Sequence, residues 1–175
     1  EEVVLLDNLV AQRFASLFDL PQGIPFRFVD ADVCSEGLED HFDGIDAVVH
    51  LAAITDAAGS FDMQDQVEKV NLLGTDNVAR ACLATGAKLV FLSTTSVYGV
   101  HDGEVDEDCP IDLLQPQSPY ADSKLKAETL LEGLGETDGL DFVICRFGTI
   151  FGTSTGMRFH TAVNKFCWQA LTGQK

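Results

Sequence analysis

The chain has 175 residues, 46% of them hydrophobic and 22% charged, a composition typical of one soluble globular domain. Its formal net charge of −17 at pH 7 argues against nucleic acids and anionic membranes as partners, because like charges repel at long range. The longest apolar runs, such as residues 89–92, have the length of a strand, so no segment is predicted to span a bilayer.

Cysteine usage argues against both a metal site and a disulfide framework. The five cysteines are odd in number and include no Cys-x-x-Cys pair. The first residues also lack the basic stretch that opens a secretory signal. We therefore predict no metal ligands, and we expect reduced, buried thiols in a cytoplasmic protein.

Five short apolar runs predict β-strands at residues 3–6, 26–29, 47–51, 89–92 and 142–145. The runs are nearly continuous, as expected of parallel strands covered on both faces. Helical patterns fill residues 63–85, with Gly86 as the stop, and residues 120–134, which should end near Gly135. Residues 99–119 hold acidic side chains and three prolines and predict a long surface loop, a length that is uncommon without a function. The alternation of strands and helices predicts a doubly wound parallel α/β sheet.

Asp7 closes the first predicted strand. In dinucleotide-binding folds an acidic residue at the end of the second strand binds the adenosine ribose hydroxyls and would repel the 2′-phosphate of NADP. Many strands also end on an aspartate that binds nothing, so both interpretations stay open. Asp32 and Val33, just after the next strand, lie where an adenine contact is expected.

A glycine-rich phosphate loop normally lies about 20 residues before such an acidic residue, together with the first strand of the fold. The chain contains no Gly-x-Gly-x-x-Gly pattern. We therefore expect the chain to be truncated, lacking the first strand and the glycine loop. That strand would lie between the strands at residues 3–6 and 47–51, so no direct ladder should join these two.

Tyr120 and Lys124 are four residues apart at the start of a predicted helix, so their side chains project from one face. An unperturbed tyrosine has a pKa of about 10, and a neighbouring ammonium lowers that pKa enough for the phenolate to accept a proton from a hydroxyl. The same spacing also occurs in helices that carry one aromatic residue and one solvated lysine. Ser93, Thr94 and Thr95 follow a strand at the active-site edge of a parallel sheet, where their hydroxyls could hold a substrate or simply form a turn.

Four sequence blocks then occur in a characteristic order: residues 48–53 (VVHLAA), 70–77 (VNLLGTDN), 92–99 (LSTTSVYG) and 118–124 (SPYADSK). In order and spacing they resemble the NAD-dependent epimerase/dehydratase family of the extended short-chain dehydrogenases/reductases, which includes the UDP-glucose 4-epimerases. The resemblance covers almost the whole chain. It implies a Rossmann-type fold, a tightly held NAD and a nucleotide-sugar substrate.

The resemblance also implies a role for individual residues. Thr94 takes the catalytic serine/threonine position, Tyr120 is the acid/base, and Lys124 tunes Tyr120 and binds the nicotinamide ribose. The remaining cofactor-binding residues that it implies are Asp7, Asn8, Asp32, Val33, Leu51, Ala52, Ala53, Asn71, Ser93 and Phe147. The substrate contacts that it implies, besides Thr94, are Thr95, Thr149, Arg158 and His160.

Two departures bear on the reaction. Thr149 stands where an asparagine often contacts the sugar nucleotide, so the sugar is not predicted. Thr95 and Ser96 stand where sugar 4,6-dehydratases carry an Asp-Glu pair that eliminates water.

We therefore predict a nucleotide-sugar epimerase that oxidises a ring hydroxyl transiently. A dehydratase, decarboxylase or reductase on the same scaffold is the nearest enzymatic alternative, and a catalytically idle NAD-binding protein is the alternative from a different functional class. Residues 1–152 should form part of the NAD-binding domain, and residues 153–175 should begin the substrate lobe. The family resemblance implies a homodimer.

Overall fold

The computed structural model describes residues 2–159 and 161–174, and their contacts divide the chain into two compact units. The two-strand unit comprises the residues up to Ala31 together with those from Thr149 onward, and the three-strand unit runs from Asp32 to Gly148. In chain order the strands are β1 (Val3–Asp7), β2 (Phe26–Asp30), β3 (Ala47–His50), β4 (Lys88–Thr94) and β5 (Phe142–Phe147). The α-helices are α1 (Glu39–Phe42), α2 (Gln64–Glu68), α3 (Gly74–Thr85), α4 (Pro119–Asp138) and α5 (Ala162–Thr172). The predicted boundary after residue 152 stays a prediction.

The two-strand unit is built on a parallel pair. β1 and β2 run side by side, with Val3 opposite Phe26 and Asp7 opposite Asp30. A 3-10 helix, Phe14–Leu17, lies in the connection between them. In the same unit the rings of Phe159 and Trp168 of α5 pack with their centroids 5.0 Å apart.

The three-strand unit holds a parallel sheet in the order β3-β4-β5. β4 is its middle strand, and Leu89 and Phe91 of β4 are completely buried. Helices α3 and α4 contribute further fully buried apolar side chains of this unit, among them Val78 and Leu131. The apolar pattern of the middle strand therefore follows from its position inside the core.

All five predicted strands are present, and their parallel pairing with intervening helices confirms the predicted Rossmann-type α/β class. β3 ends at His50, one residue earlier than expected. In the part of the chain that the structure describes, no ladder joins β1 to β3, as predicted.

The helical segment predicted at residues 63–85 is present but contains a wider turn. Between α2 and α3 the chain forms a π-helix, Lys69–Leu73, and π-turns of this kind often occur at functional sites. α3 ends at Gly86 as predicted, because its φ of 76° belongs to the left-handed region that glycine adopts without strain.

The prediction that the next helix ends near Gly135 is wrong. α4 continues to Asp138 and ends at Gly139, which has a φ of 77°. Gly135 lies inside the helix at a point where a Cβ would collide with the ring of Phe142 on β5. The glycine therefore allows strand and helix to pack closely, and it does not stop the helix.

The segment between β4 and α4 is mostly loop, as predicted, with 3-10 turns at Thr95–Val97 and Ile111–Leu113. Its two ends meet where the amide of Gln115 donates to the carbonyl oxygen of Tyr98 at 3.3 Å. A Cβ at Gly99 would collide with the carbonyl oxygen of Gln115, and the φ of Gly99 is 75°. Only glycine therefore suits this position.

The expectation of buried thiols is correct for Cys82 and wrong for Cys167, which is exposed, while Cys34, Cys109 and Cys145 are half-buried. Burial raises the pKa of Cys82 to about 11. Within residues 2–159 and 161–174, no helix is both long enough and apolar enough to cross a membrane.

Candidate functional site

Lys124 is a buried ammonium on the face of α4 that packs against β4. Only 3% of its surface is exposed, and its Nζ donates to the carbonyl oxygen of Leu92 at 2.8 Å. The same Nζ lies 4.6 Å from the ring centroid of Phe91. Burial lowers the pKa of Lys124 to about 8, and the negative charge of Glu128 opposes that change. The lysine is therefore held against β4 near its end.

Tyr120 is fixed by the way α4 begins. Ser118 caps the helix, accepting from the amide of Ala121 at 3.2 Å, and Pro119 occupies the first turn, where its missing N–H costs nothing. The amide of Tyr120 donates to Oγ of Ser60 at 3.3 Å, and Ser60 is completely buried. A serine 60 residues earlier in the chain thus completes the cap and fixes the backbone of Tyr120.

Ser93 and Thr94 close β4 with hydroxyl groups. Thr94 is 8% exposed, and its Oγ1 accepts from the amide of Ser96 at 3.1 Å, so its own proton is left to donate to another group. Oγ of Ser93 is buried and has no hydrogen-bond partner among the described residues. A buried hydroxyl of this kind needs an explanation, and a ligand bound at the edge of the sheet would supply its partner.

Asn71 joins three parts of the three-strand unit. From the π-helix its Oδ1 accepts from the amide of Ile54 at 2.8 Å, and its Nδ2 donates to the carbonyl of Ile54 at 3.1 Å and to Oγ of Ser123 at 2.9 Å. Its side chain is therefore engaged in linking the segment after β3 to α4. The predicted contact of Asn71 with the cofactor phosphates stays a prediction.

His50 is a buried, neutral imidazole at the end of β3. Its Nε2 lies 3.1 Å from Oγ1 of Thr75, whose hydroxyl donates to the carbonyl of Asn71 at 2.6 Å. The hydroxyl has one proton, so Nε2 of His50 is the donor in their bond. Burial, and then the positive charge of Lys124, lowers the pKa of His50 to about 3.

An ion pair with a buried carboxylate lies one turn beyond Lys124. The guanidinium of Arg146 on β5 holds the carboxylate of Glu128 on α4 with Nη2–Oε2 at 2.7 Å and Nε within 3.2 Å of both oxygens. Its Nη1 donates to the hydroxyl of Tyr98 at 3.2 Å, and its Cζ lies 5.0 Å from the Tyr98 ring centroid. These hydrogen bonds raise the pKa of Arg146 above its usual value.

The other predicted cofactor residues of the three-strand unit, and the predicted substrate contact Thr95, differ in exposure. Asp32 accepts from the amide of Cys34 at 2.8 Å, and the buried Val33 offers its carbonyl to Asn77 at 3.0 Å. A Cβ at Gly74 would collide with Val33, so α3 holds this turn closely. Leu51 and Phe147 are exposed, Ala52 and Ala53 are half-buried, and Thr95 is exposed.

The remaining predicted site residues belong to the two-strand unit. Asp7 and Asn8 are exposed at the end of β1, and Oδ1 of Asp7 accepts from the amide of Leu9 at 2.6 Å. Thr149 is exposed and Arg158 is half-buried. His160 lies outside the described residues.

Residue patterns missed four side chains of the site: Ser60, Tyr98, Glu128 and Arg146. Glu128 carried a signal, because it follows Tyr120 and Lys124 at the same four-residue spacing on one helix face. Arg146 carried another, since a lone charge inside an apolar strand needs a buried partner. Ser60 and Tyr98 gave no such signal.

Comparison with known proteins identifies the class of protein to which the chain belongs. The profile of the NAD dependent epimerase/dehydratase family matches residues 1–174. The chain therefore belongs to that family, which confirms the resemblance found in the sequence.

Among curated relatives, a trifunctional UDP-glucose 4,6-dehydratase/3,5-epimerase/reductase of Arabidopsis thaliana is 30% identical over 99% of the chain and 27% of its own length. Among solved structures, a UDP-N-acetylglucosamine 4-epimerase from Methanobrevibacter ruminantium, in complex with UDP-N-acetylmuramic acid, has a TM-score of 0.86 at 26% identity. A UDP-glucuronic acid 4-epimerase from Bacillus cereus, in complex with NAD, has a TM-score of 0.85 at 28% identity. Each structural match covers 99% of this chain and 56% of the other, so the chain spans about half of these enzymes.

Proposed function

We propose that the protein containing this chain is an NAD-dependent nucleotide-sugar epimerase. The observation that carries the proposal is the buried ammonium of Lys124, one helical turn after Tyr120 and bonded to β4 two residues before Thr94. A charged ammonium stabilises a phenolate in a site from which water is excluded. Tyr120 thereby becomes a base able to act near neutral pH.

In this proposal Tyr120 accepts the proton of a sugar ring hydroxyl and later returns it. Thr94 donates a hydrogen bond to the same hydroxyl oxygen with the proton that its contact with Ser96 leaves available. Lys124 keeps the phenolate form of Tyr120 accessible throughout. Oxidation and reduction of the sugar carbon cancel, so the substrate and product have the same mass.

The residues at the end of β4 suit the cofactor of the family. Ser93 presents a buried hydroxyl without a partner among the described residues, and Lys124 uses one of its three N–H donors on Leu92. We propose that these two side chains hold the nicotinamide ribose and that Asp7 holds the adenosine ribose. When bound, NAD supplies the acceptor and donor of the hydride.

The first test replaces the proton-transferring group in the full-length protein that contains this chain. Tyr120→Phe should lower kcat on a UDP-sugar at least about a hundredfold, the usual contribution of a positioned acid/base, while NAD binding is kept. Lys124→Ala should weaken both turnover and NAD binding, and Thr94→Ser should be tolerated far better than Thr94→Val. Stopped assays give the rates, and calorimetry gives the NAD affinity.

Lys126→Ala provides the matched control, because this nearby lysine is exposed and pairs with Glu68 and Asp122. It should leave both quantities unchanged. Near-parental turnover by Tyr120→Phe would show that another group moves the proton.

A dehydratase is the second candidate, because the Arabidopsis relative that matches 99% of the chain carries that activity in its name. The exposed Thr95 and Ser96 take the place of the Asp-Glu pair and favour the epimerase. Mass spectrometry of the product decides: epimerisation keeps the mass of the sugar nucleotide, dehydration removes one water, and decarboxylation removes carbon dioxide. Bound NAD without any turnover would identify a catalytically idle protein.

Assembly and location are also part of the proposal. We expect a homodimer, which light scattering of the full-length protein would detect at twice the protomer mass. The cysteine pattern supports a cytoplasmic location, which fractionation of cells would test.

A further inference from the structure

The Glu128–Arg146 pair has no part in the proton transfer described above, although it lies one turn from Lys124. Glu128 is 1% exposed, and the side chain of Arg146 is 15% exposed. Removing two such ions from water is costly, and an apolar pair of similar volume often serves stability as well. The position of the pair beside the site is therefore the feature that needs a reason.

The pair connects the elements that carry the three proposed catalytic side chains. Glu128 belongs to α4, as do Tyr120 and Lys124. Arg146 lies on β5 directly opposite Ser93 of β4, the neighbour of Thr94. Tyr98, which accepts from Arg146, lies four residues after Thr94, in the turn that leaves β4.

Glu128 follows Lys124 by four residues on the same face of α4, and its orientation is fixed by Arg146. Both of its oxygens are held by Arg146, so the side chain cannot rotate away from the helix face that it shares with Lys124. Charge–charge attraction between Lys124 and Glu128 opposes the effect of burial on the lysine. At the low dielectric of a buried site this attraction is much stronger than in water.

We propose that Glu128, clamped by Arg146, is a positioning residue that keeps the Lys124 ammonium charged and fixed one turn after Tyr120. The effect of Glu128 on catalysis rests on the proposed function. Its effect on Lys124 itself does not depend on which reaction the protein performs.

Several other ionisable groups lie on the elements packed around Lys124. His50 on β3 is neutral at physiological pH, because its pKa is about 3. Glu68 on α2 is paired with Lys126, on an exposed face of α4. Asp76 pairs with Arg80, Lys88 with Asp141, and Asp122 with Lys126. The other ionisable groups on these elements include Asp62, Asp65, Lys69, Tyr98, Tyr120 and Arg146. Among the anions, Glu128 is the one whose charge raises the pKa of Lys124 against the effect of burial. Glu128 is thus the anion that the structure assigns to Lys124.

The test measures the charge state of Lys124 directly, by the pH titration of its ¹³Cε–¹Hε NMR signal in the full-length protein. Glu128→Gln should lower the pKa of Lys124 by about one unit, because it removes the anion and leaves Arg146 unbalanced. Arg146→Met should shift the same pKa upward, because it removes a competing cation. A purely structural pair would move the signal in the same direction in both variants, and that result would overturn the proposal.

Two further variants serve as controls, the first against misfolding and the second for specificity. Glu128→Gln/Arg146→Met removes both charges of the pair, a replacement that proteins often tolerate. It should still lower the pKa of Lys124, and an unchanged titration in this folded variant would also overturn the proposal. Glu132→Gln removes an exposed carboxylate one turn further along α4 and should leave the titration unchanged.

Turnover supplies the catalytic readout. The pH at which kcat reaches half its maximum should rise by about one unit in Glu128→Gln, since a less charged Lys124 stabilises the Tyr120 phenolate less. A changed NMR titration without any sugar-nucleotide turnover by the parent would contradict the proposed function and leave the role of Glu128 supported. An active parent with an unchanged pH profile in folded Glu128→Gln would contradict the positioning role alone.

Discussion

At the scale of single residues, His50 makes the three-strand unit sensitive to acid. Its pKa is about 3 in the folded chain against 6.5 as the ordinary value, so the unfolded chain binds a proton first as the pH falls. Its contribution to stability is complete above pH 6.5 and is lost as the pH falls from 6.5 towards 3. Within that window the free energy of unfolding should decrease by up to about 1.4 kcal/mol per pH unit from this residue.

His50→Gln tests this prediction, because the glutamine amide can still donate to Thr75 but does not titrate. Urea unfolding between pH 7 and pH 4.5 should show a smaller loss of stability in the variant than in the parent. Equal slopes in both proteins would mean that His50 does not cause the acid sensitivity.

The residues that sequence patterns identified are those whose partners are close in the chain or whose spacing is itself informative. The four-residue spacing of Tyr120 and Lys124 is an example. Ser60 contacts Tyr120 across 60 residues, and Arg146 contacts Glu128 across 18. Such contacts arise only when the sheet brings distant segments together, so a local pattern contains no record of them.

At the scale of elements, two glycines of α4 should respond to the same substitution in opposite ways. Gly133→Ala meets open space on an exposed helix face and should stabilise the chain by about 1 kcal/mol, the difference in helix propensity. Gly135→Ala places a Cβ against the ring of Phe142 and should destabilise it by about 1–3 kcal/mol. Urea titrations of the two single variants measure the change in the free energy of unfolding for each. A stabilising Gly135→Ala would show that the ring of Phe142 moves aside at little cost.

The strands were predictable because buried parallel strands require continuous apolar runs, and each run in this chain is short and bounded by polar or turn residues. The end of α4 was misplaced because a glycine has two uses that look the same in a sequence. Gly86 and Gly139 adopt a positive φ and end helices, whereas Gly135 provides space for an aromatic ring. Only the position of Phe142 distinguishes the two uses.

At the scale of the whole molecule, charge repulsion should make stability depend on salt. The chain carries 28 acidic and 11 basic residues, which gives the formal net charge of −17. Repulsion among like charges destabilises a compact state of high net charge. At 0.1 M salt, charges more than about 10 Å apart are largely screened from each other. The urea midpoint at pH 7 should therefore rise when NaCl is increased from roughly 0.02 M, where screening is weak, to roughly 0.5 M, where it is strong.

Choline chloride at equal ionic strength separates general screening from binding of a particular cation. The same rise with both salts would identify screening as the cause. A midpoint that falls with both salts would mean that attractive ion pairs outweigh the net repulsion.

The hydrogen bond that joins the two ends of the loop at Tyr98 and Gln115 has a consequence for protein engineering. The hydrogen bond and the close approach at Gly99 bring the two ends of the loop together independently of the residues between them. Lengthening a loop whose ends are already joined costs little, about 0.6 kcal/mol for each doubling of its length. The tip around Gly103, which is exposed and has open space around it, therefore offers a place to insert a fluorescent or affinity module without disturbing α4.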